Sequence, residues 1–453
     1  MTQPPSRLLV PAIIASQFAG PFMFSGVAVA LPAMGGDLGA GATSLGLVET
    51  LFLAGSVAFL LPIGRLADAS DKAAVYKLGL LTFGLSSIAV AFFSSIQVIL
   101  FLRFLQGVTS SATAATAPAI VADLVPPERR GAAYGMMIAA VYAGLTLGPL
   151  CAGFLTDHWG WRAVFWAGGA LVVLGYLAIA TLLRSAWRRP PAGAIHLPST
   201  ALIVASMLLL AFGCSTLRLG VVGYLCVAAG IGLAAAFVVL QPRVKTPLLN
   251  IEVLLRNTVM SRALLVQLLL YTQAFCSVFM VSIYMQVVLG QPANTSGQVL
   301  AIGSLLMALL APLAGRLSDR YPATLVASVG VAIAFGSALF AITLDERSSL
   351  AHVAAMLAVQ GVGFAFFSSP NMTTVMNAVP PNRRSIASAL SAQARSLGML
   401  AGMLITAAVI SLYIGDEPIA REPLLFARTM TTSFVILAAV SLAALGLSVR
   451  RSG

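Results

Sequence analysis

The chain has 453 residues, 59% of them hydrophobic and 9% charged, with 26 Lys and Arg against 14 Asp and Glu and a formal net charge of +12. A mean hydropathy of +0.97 excludes a water-soluble globular protein of this length and leaves a helical protein that crosses a membrane many times. The basic balance fits an excess of Lys and Arg in the loops of one membrane face, so no nucleic-acid partner is expected.

Apolar runs between polar breaks predict fourteen helices, at 9–33, 44–65, 73–94, 98–122, 132–156, 162–184, 197–216, 219–240, 258–289, 296–314, 323–343, 350–377, 386–413 and 427–449. The first run, about 24 residues long, exceeds the 7–15 residues of a signal-peptide core and is predicted to be an uncleaved first helix. Cys151, Cys214, Cys226 and Cys276 all fall inside apolar runs, and His158, His196 and His352 show no ligand spacing. No disulfide, metal or other cofactor is therefore expected. The phosphate-cradling pattern G-x-x-x-x-G-K-[ST] is missing from the sequence, which points to drive by an ion gradient rather than ATP.

On this assignment 19 Lys and Arg fall on the face of the two termini, five on the opposite face and two within spans. That bias predicts both termini in the cytoplasm of a multi-pass protein of the inner membrane. The tails are expected to be only a few residues long. GRLADA at 64–69, after the second helix, repeats as GRLSDR at 315–320, after the tenth. The 251-residue offset is about 31 residues per helix over eight helices and about 42 over six, and a span with a short loop fits the former. Hence an N-terminal six-helix bundle is expected over 1–190, an inserted hairpin of helices seven and eight over 191–245, and a C-terminal six-helix bundle over 246–453. Parallel repeats of this kind are a transporter architecture, with the substrate site between the halves near the midplane.

Several stretches carry a family resemblance. GRLADASDKAAVYK holds Gly64, Asp68 and Lys72 of a loop pattern G-x-L-a-D-r-x-G-r-k, and RFLQG (103–107) resembles a fourth-helix motif. GLTLGPLCAG (144–153), with Gly144, Gly148, Pro149 and Gly153, resembles the antiporter motif of a fifth helix. DHWGWRAVFW (157–166), TPLLNIEVLLRN (246–257), YMQVVLGQPANTSGQ (284–298) and IASALSAQARSLGMLAG (386–402) match further segments. Together they resemble the major facilitator superfamily and, within it, the fourteen-helix drug:proton antiporters. The resemblance implies an all-α fold and proton-coupled export of amphipathic small molecules by alternating access, with Gly64, Asp68, Lys72, Gly315, Arg316 and Asp319 latching one conformation at the cytoplasmic ends. Asp123, Glu128, Arg129 and Arg130 are possible contributors to that latch, and solvated loop charge is the alternative. The chain departs from the pattern at Asp71 and Ala73, at Ala152, and in the first helix, where Met23 stands in place of an aspartate and Ala28 in place of an asparagine.

Proton coupling needs a group that changes charge inside the membrane, and Glu49 is the clearest intramembrane carboxylate. Arg103 enters helix four at a similar depth, so the pair is expected either to break on proton uptake or to stand as a static lock. Helix nine offers Gln267, Tyr271 and Phe275 at i, i+4 and i+8, one polar-aromatic face. With Gln17, Met23, Gln106, Gln360, Phe364, Asn371, Gln393 and Arg395 they form the expected substrate cavity, helix-to-helix bonding being the other role open to the glutamines. The scarcity of embedded acids favours neutral or anionic substrates over quaternary ammonium compounds. Protons, membrane lipid and a small amphipathic molecule are the expected partners of a monomer. A proton-coupled importer or facilitator of the same fold remains open. A lipid-modifying membrane enzyme would need clustered His, Asp or Cys, and a sensor would need a soluble domain.

Overall fold

The computed structural model describes residues 8–125, 130–183, 196–217, 220–244, 247–248, 257–379, 384–415, 419 and 422–449. Among them lie 14 helices long and apolar enough to cross a membrane. The first, α1, comprises Leu9–Ser16 and Ala19–Leu38. Then follow α2 (Ala42–Ala69), α3 (Lys72–Val90), α4 (Ile96–Leu124), α5 (Arg130–Trp159) and α6 (Arg162–Leu182). A hairpin of α7 (Leu197–Ser215) and α8 (Val221–Leu240) precedes α9 (Thr258–Val287), α10 (Ala293–Arg320), α11 (Ala323–Ile342), α12 (Leu350–Asn377), α13 (Arg384–Tyr413) and α14 (Pro423–Val449).

Each predicted span is present, with two local differences. The first helix tightens at Gln17 and Phe18, whose amides donate to Ile14 and Ala15, three residues back, at 3.1 Å each. The repeats GRLADA and GRLSDR belong to the last turns of α2 and α10, not to loops. Hydropathy sees the hydrocarbon layer, whereas a helix continues beyond it as long as its backbone bonds do. Asp71, the departure from the loop pattern, caps α3 by accepting from the Ala73 amide at 2.9 Å. The expected domain boundaries at 190/191 and 245/246 fall at residues outside the described ones.

With an even number of spans, α1 begins and α14 ends on one face of the molecule, here called proximal; the other is distal. Among the described residues, five distal turns place a glycine at positive φ: Gly39, Gly160, Gly220, Gly290 and Gly415. In the first bundle α1 packs on α5, α2 on α4, and α3 on α4 and α6; in the second, α9 packs on α13 and α14, α10 on α12, and α11 on α12 and α14. The repeat extends to the packing. Gly79 of α3 sits on Ala112 of α4, and Gly330 of α11 sits on Gly363 of α12, both pairs separated by the same 251 residues. The hairpin's α7 touches α2 and α13, while α8 is mostly exposed, 17% of its apolar window being buried. The bundles meet through α5 with α10, α2 with α13, and α1 with α9.

Candidate functional site

Glu49 and Arg103 lie seven residues from the distal starts of α2 and α4, and the α2/α4 packing brings them together. Arg103 Nη2 donates to Glu49 Oε2 at 3.0 Å, Nε to the Val48 carbonyl at 3.1 Å, and Nη1 to Gln106 Oε1 at 2.8 Å. Its guanidinium also stands 4.6 Å from the Phe52 ring centroid. All three polar side chains are 0% exposed. Two atoms of this cluster, Glu49 Oε1 and Gln106 Nε2, have no hydrogen-bond partner. An ion pair out of water is held by such supporting bonds, and a buried acceptor without a donor is costly.

From Phe52 a series of ring contacts leaves the first bundle. Phe52 and Phe24 of α1 have centroids 5.9 Å apart, and Phe24 meets Phe275 of α9 at 5.1 Å. Phe275 stacks on Tyr271 at 6.1 Å, and Tyr271 meets Phe364 of α12 edge-on at 5.0 Å. The Tyr271 hydroxyl lies beside both the Arg395 guanidinium of α13 and the Tyr142 hydroxyl of α5. Tyr142 in turn reaches Ser368 of α12 at 3.4 Å. Tyr271, Phe275, Phe364 and Arg395 thus share one mid-membrane junction between the bundles.

The remaining polar candidates are placed differently. Gln267 donates to the Ser391 carbonyl at 3.1 Å and accepts from Ser391 Oγ at 2.9 Å and Asn371 Nδ2 at 3.3 Å, joining α9, α12 and α13. In this conformation Gln267 and Asn371 bond helix to helix. Gln360 donates to the Ala274 carbonyl at 3.4 Å, and the Oε1 atoms of Gln360 and Gln393, both buried, have no partner. Gln17 stands beside Ser16, 3.4 Å away, near Tyr76 within the first bundle. Met23 is fully buried, its sulfur seated on Gly168 of α6.

The antiporter-like stretch of α5 is a packing surface on two sides. A Cβ on Gly144 would come within 2.4 Å of the Phe18 carbonyl, and one on Gly148 within 2.6 Å of the Phe22 carbonyl, both on α1. Gly153 faces the other bundle, where a Cβ would come within 2.6 Å of the Ala293 carbonyl; there Gly297 of α10 also lies against the carbonyl of Pro149. The Asp157 carboxylate accepts from the amides of Ala293 at 3.2 Å and Asn294 at 2.8 Å, capping α10 from across the interface. Further distal bonds run from Thr43 to the Gly415 carbonyl at 2.8 Å, from Ser282 to Ala28 at 2.9 Å, and from Gln286 to Val29 at 3.1 Å. These contacts close the distal side.

At the proximal ends Lys72 pairs with Asp123 at 3.2 Å, tying α3 to α4. Gly64 faces Ala115 of α4 and Gly315 faces Ser369 of α12, the corresponding helix pairs of the two bundles one turn apart. Arg316 is exposed. Glu128 and Arg129 lie outside the described residues, as do the side chains of Asp68, Arg130 and Asp319. Sequence reasoning passed over Tyr142, Phe24 and Phe52, ordinary apolar-run aromatics, and Asp157, although Asp157 opens the DHWGW segment.

The chain matches the family model described as Major Facilitator Superfamily over residues 13–403. It is 27% identical over 399 residues to the multidrug resistance protein Stp of Mycobacterium tuberculosis, covering 86% of this chain and 73% of that one. To the puromycin resistance protein pur8 of Streptomyces alboniger it is 28% identical over 388 residues, covering 84% and 76%. Among solved structures, an inward-facing bacterial homologue of the human lysosomal transporter Spinster superposes with a TM-score of 0.73 at 17% identity, covering 100% of this chain and 98% of that one. That structural likeness carries the fold, and the family match, which runs through both bundles, carries the assignment: the chain belongs to the Major Facilitator Superfamily and is a multi-pass membrane transporter.

Proposed function

We propose that this transporter exports amphipathic small molecules from the cytoplasm in exchange for protons, rocking its two bundles about the junction of Tyr142, Tyr271 and Arg395. The observation that carries the reading is the Glu49/Arg103 pair, fully buried yet with one carboxylate oxygen unpartnered. A proton taken up on Glu49 removes half of the ion pair and frees the guanidinium, so α2 and α4 have two states of different charge. The ring contacts from Phe52 to Tyr271 give that change a physical route to the junction. Export is supported by the α5 motif and by the relatives named for drug resistance. The Lys and Arg bias supports cytoplasmic termini in a bacterial inner membrane, which makes the proximal face cytoplasmic. The two repeats at the ends of α2 and α10 then act as the cytoplasmic latch of a monomer organised as 1–190, 191–245 and 246–453.

The test is transport in oriented vesicles with an imposed pH gradient and a panel of fluorescent amphipaths of both charges. Wild-type protein is expected to accumulate substrate against its gradient, with collapse on adding protonophore. Glu49→Gln and the paired Glu49→Gln/Arg103→Gln variant are expected to retain downhill exchange and lose uphill accumulation. Uphill accumulation by either variant would place the coupling proton elsewhere, and accumulation that survives protonophore would overturn proton drive.

A further inference from the structure

Glu49, Arg103 and Arg395 are charged side chains within spans, and the first two neutralise each other. Glu49 is used by Arg103, and the other Asp and Glu among the described residues, such as Asp37, Asp123, Asp157 and Asp345, fall at helix ends or in turns. Arg395, twelfth of the 30 residues of α13 and inside its apolar span, is exposed rather than buried. No carboxylate pairs with it among the described residues, whose ion pairs are Lys72 with Asp123, Arg103 with Glu49, and Arg162 with Asp37. Its neighbour is Tyr271, whose hydroxyl lies within electrostatic reach of both this guanidinium and the Tyr142 hydroxyl of the opposite bundle. Gly398 and Gly402, one and two turns further along α13, lie against Leu268 and Thr272 of α9, which fixes the Arg395 face of the helix toward α9.

A guanidinium at membrane depth is costly unless it meets water or an anion. Its planar fork matches an oxyanion in two parallel bonds, and a tyrosine hydroxyl adds a further donor. Apolar surface adjoins the charge, since Tyr271 contacts the rings of both Phe275 and Phe364. We propose that Arg395, with the hydroxyls of Tyr271 and Tyr142, forms an anion-accepting subsite of the transport pathway, taking the oxyanion of an amphipathic monoanion whose apolar body lies on Phe275 and Phe364. Because its donors come from both bundles, a bound oxyanion is held between the two halves that move. This inference rests on the reading of the chain as a transporter of amphipathic molecules and adds the charge of the cargo.

The experiment measures binding of 4-(1-pyrenyl)butanoate, its methyl ester and the corresponding amine to the purified full chain in lipid nanodiscs, with empty nanodiscs subtracted. The acid is expected to bind about tenfold or more tightly than the ester, as a charge-assisted pair allows, and the amine weakest. Arg395→Gln should bring the acid to the ester's affinity and leave the ester unchanged; Arg395→Lys should keep part of the preference; Tyr271→Phe should reduce it. Thermal unfolding reports whether each variant is folded, and if Arg395→Gln is not, the Lys and Phe variants carry the comparison. A wild type that binds acid no better than ester, or an acid preference unchanged in the variants, overturns the proposal. No proton gradient is present, so this failure is distinct from failure of uphill accumulation in vesicles.

Discussion

Glu49 and Arg103 were legible as a pair because a carboxylate and a guanidinium at equal depth on neighbouring helices have few other ways to be satisfied. Hidden from the sequence was the way the rest of the guanidinium is used, by Val48, Gln106 and the Phe52 ring. Those partners determine what substitution does. Glu49→Ala leaves a buried cation uncompensated, and a cost of about 3–5 kcal/mol is expected. Glu49→Gln keeps an acceptor for Nη2 and should cost less, and removing both charges together should cost less than the alanine variant. Unfolding midpoints of the three variants in one detergent check the order, and equal midpoints would mean that the pair carries no buried charge. The glutamines were less legible, because a mid-membrane glutamine signals only that a polar partner exists. Gln267 finds it in Ser391 and Asn371 of neighbouring helices rather than at the junction.

At the scale of one helix, α5 shows why its stretch of small residues contains two different functions. Gly148 packs within the first bundle against α1, whereas the contact of Gly297 with Pro149 exists between bundles. A methyl group at Gly148 therefore meets a fixed neighbour in every conformation. Gly148→Ala is expected to lower stability by about 1–3 kcal/mol through overpacking. Gly297→Ala meets the Pro149 carbonyl only while the distal side is closed, so it should displace the conformational equilibrium and leave the unfolding midpoint close to wild type. Accessibility of single cysteines introduced in the distal turns to a membrane-impermeant thiol reagent reads this. Unchanged labelling in Gly297→Ala would show that the contact does not hold the closed state. The glycines of α5 were visible in the sequence as breakers in an apolar run, but which of them face a moving partner was not.

For the whole molecule, the distal closure and the central junction must be linked if the transporter is to alternate. Asp157 spans the bundles as an anion at the start of α10, a placement that favours the closed state by about 0.5–2 kcal/mol. Asp157→Asn retains an acceptor but loses the charge and should raise the distal-open population by roughly 2- to 30-fold at constant fold. Spin-label distances across the distal ends of α5 and α10 check it, and an unchanged distribution would remove Asp157 from the gate. Phe24 is the ring that joins Phe52 to Phe275 across the interface. If the rings carry the coupling, the effects of Phe24→Ala and Glu49→Gln on substrate affinity should be non-additive by about 0.5–2 kcal/mol in a double-mutant cycle.

Fourteen spans, their order, the internal repeat and the buried ion pair were determined by the sequence, because each follows from local physics: the length of chain that crosses a bilayer, a segment repeated at a fixed offset, and the expense of a charge in hydrocarbon. The tertiary structure decided which polar residues face a partner helix and which face the junction, that Met23 packs on Gly168 within one bundle, and that Asp157 caps α10 of the other. It also brought Tyr142, Tyr271 and Arg395 together from α5, α9 and α13. Periodicity along one helix reports a face but not its neighbour. The neighbour is set by close packing of helices more than a hundred residues apart, which no single stretch of this chain encodes.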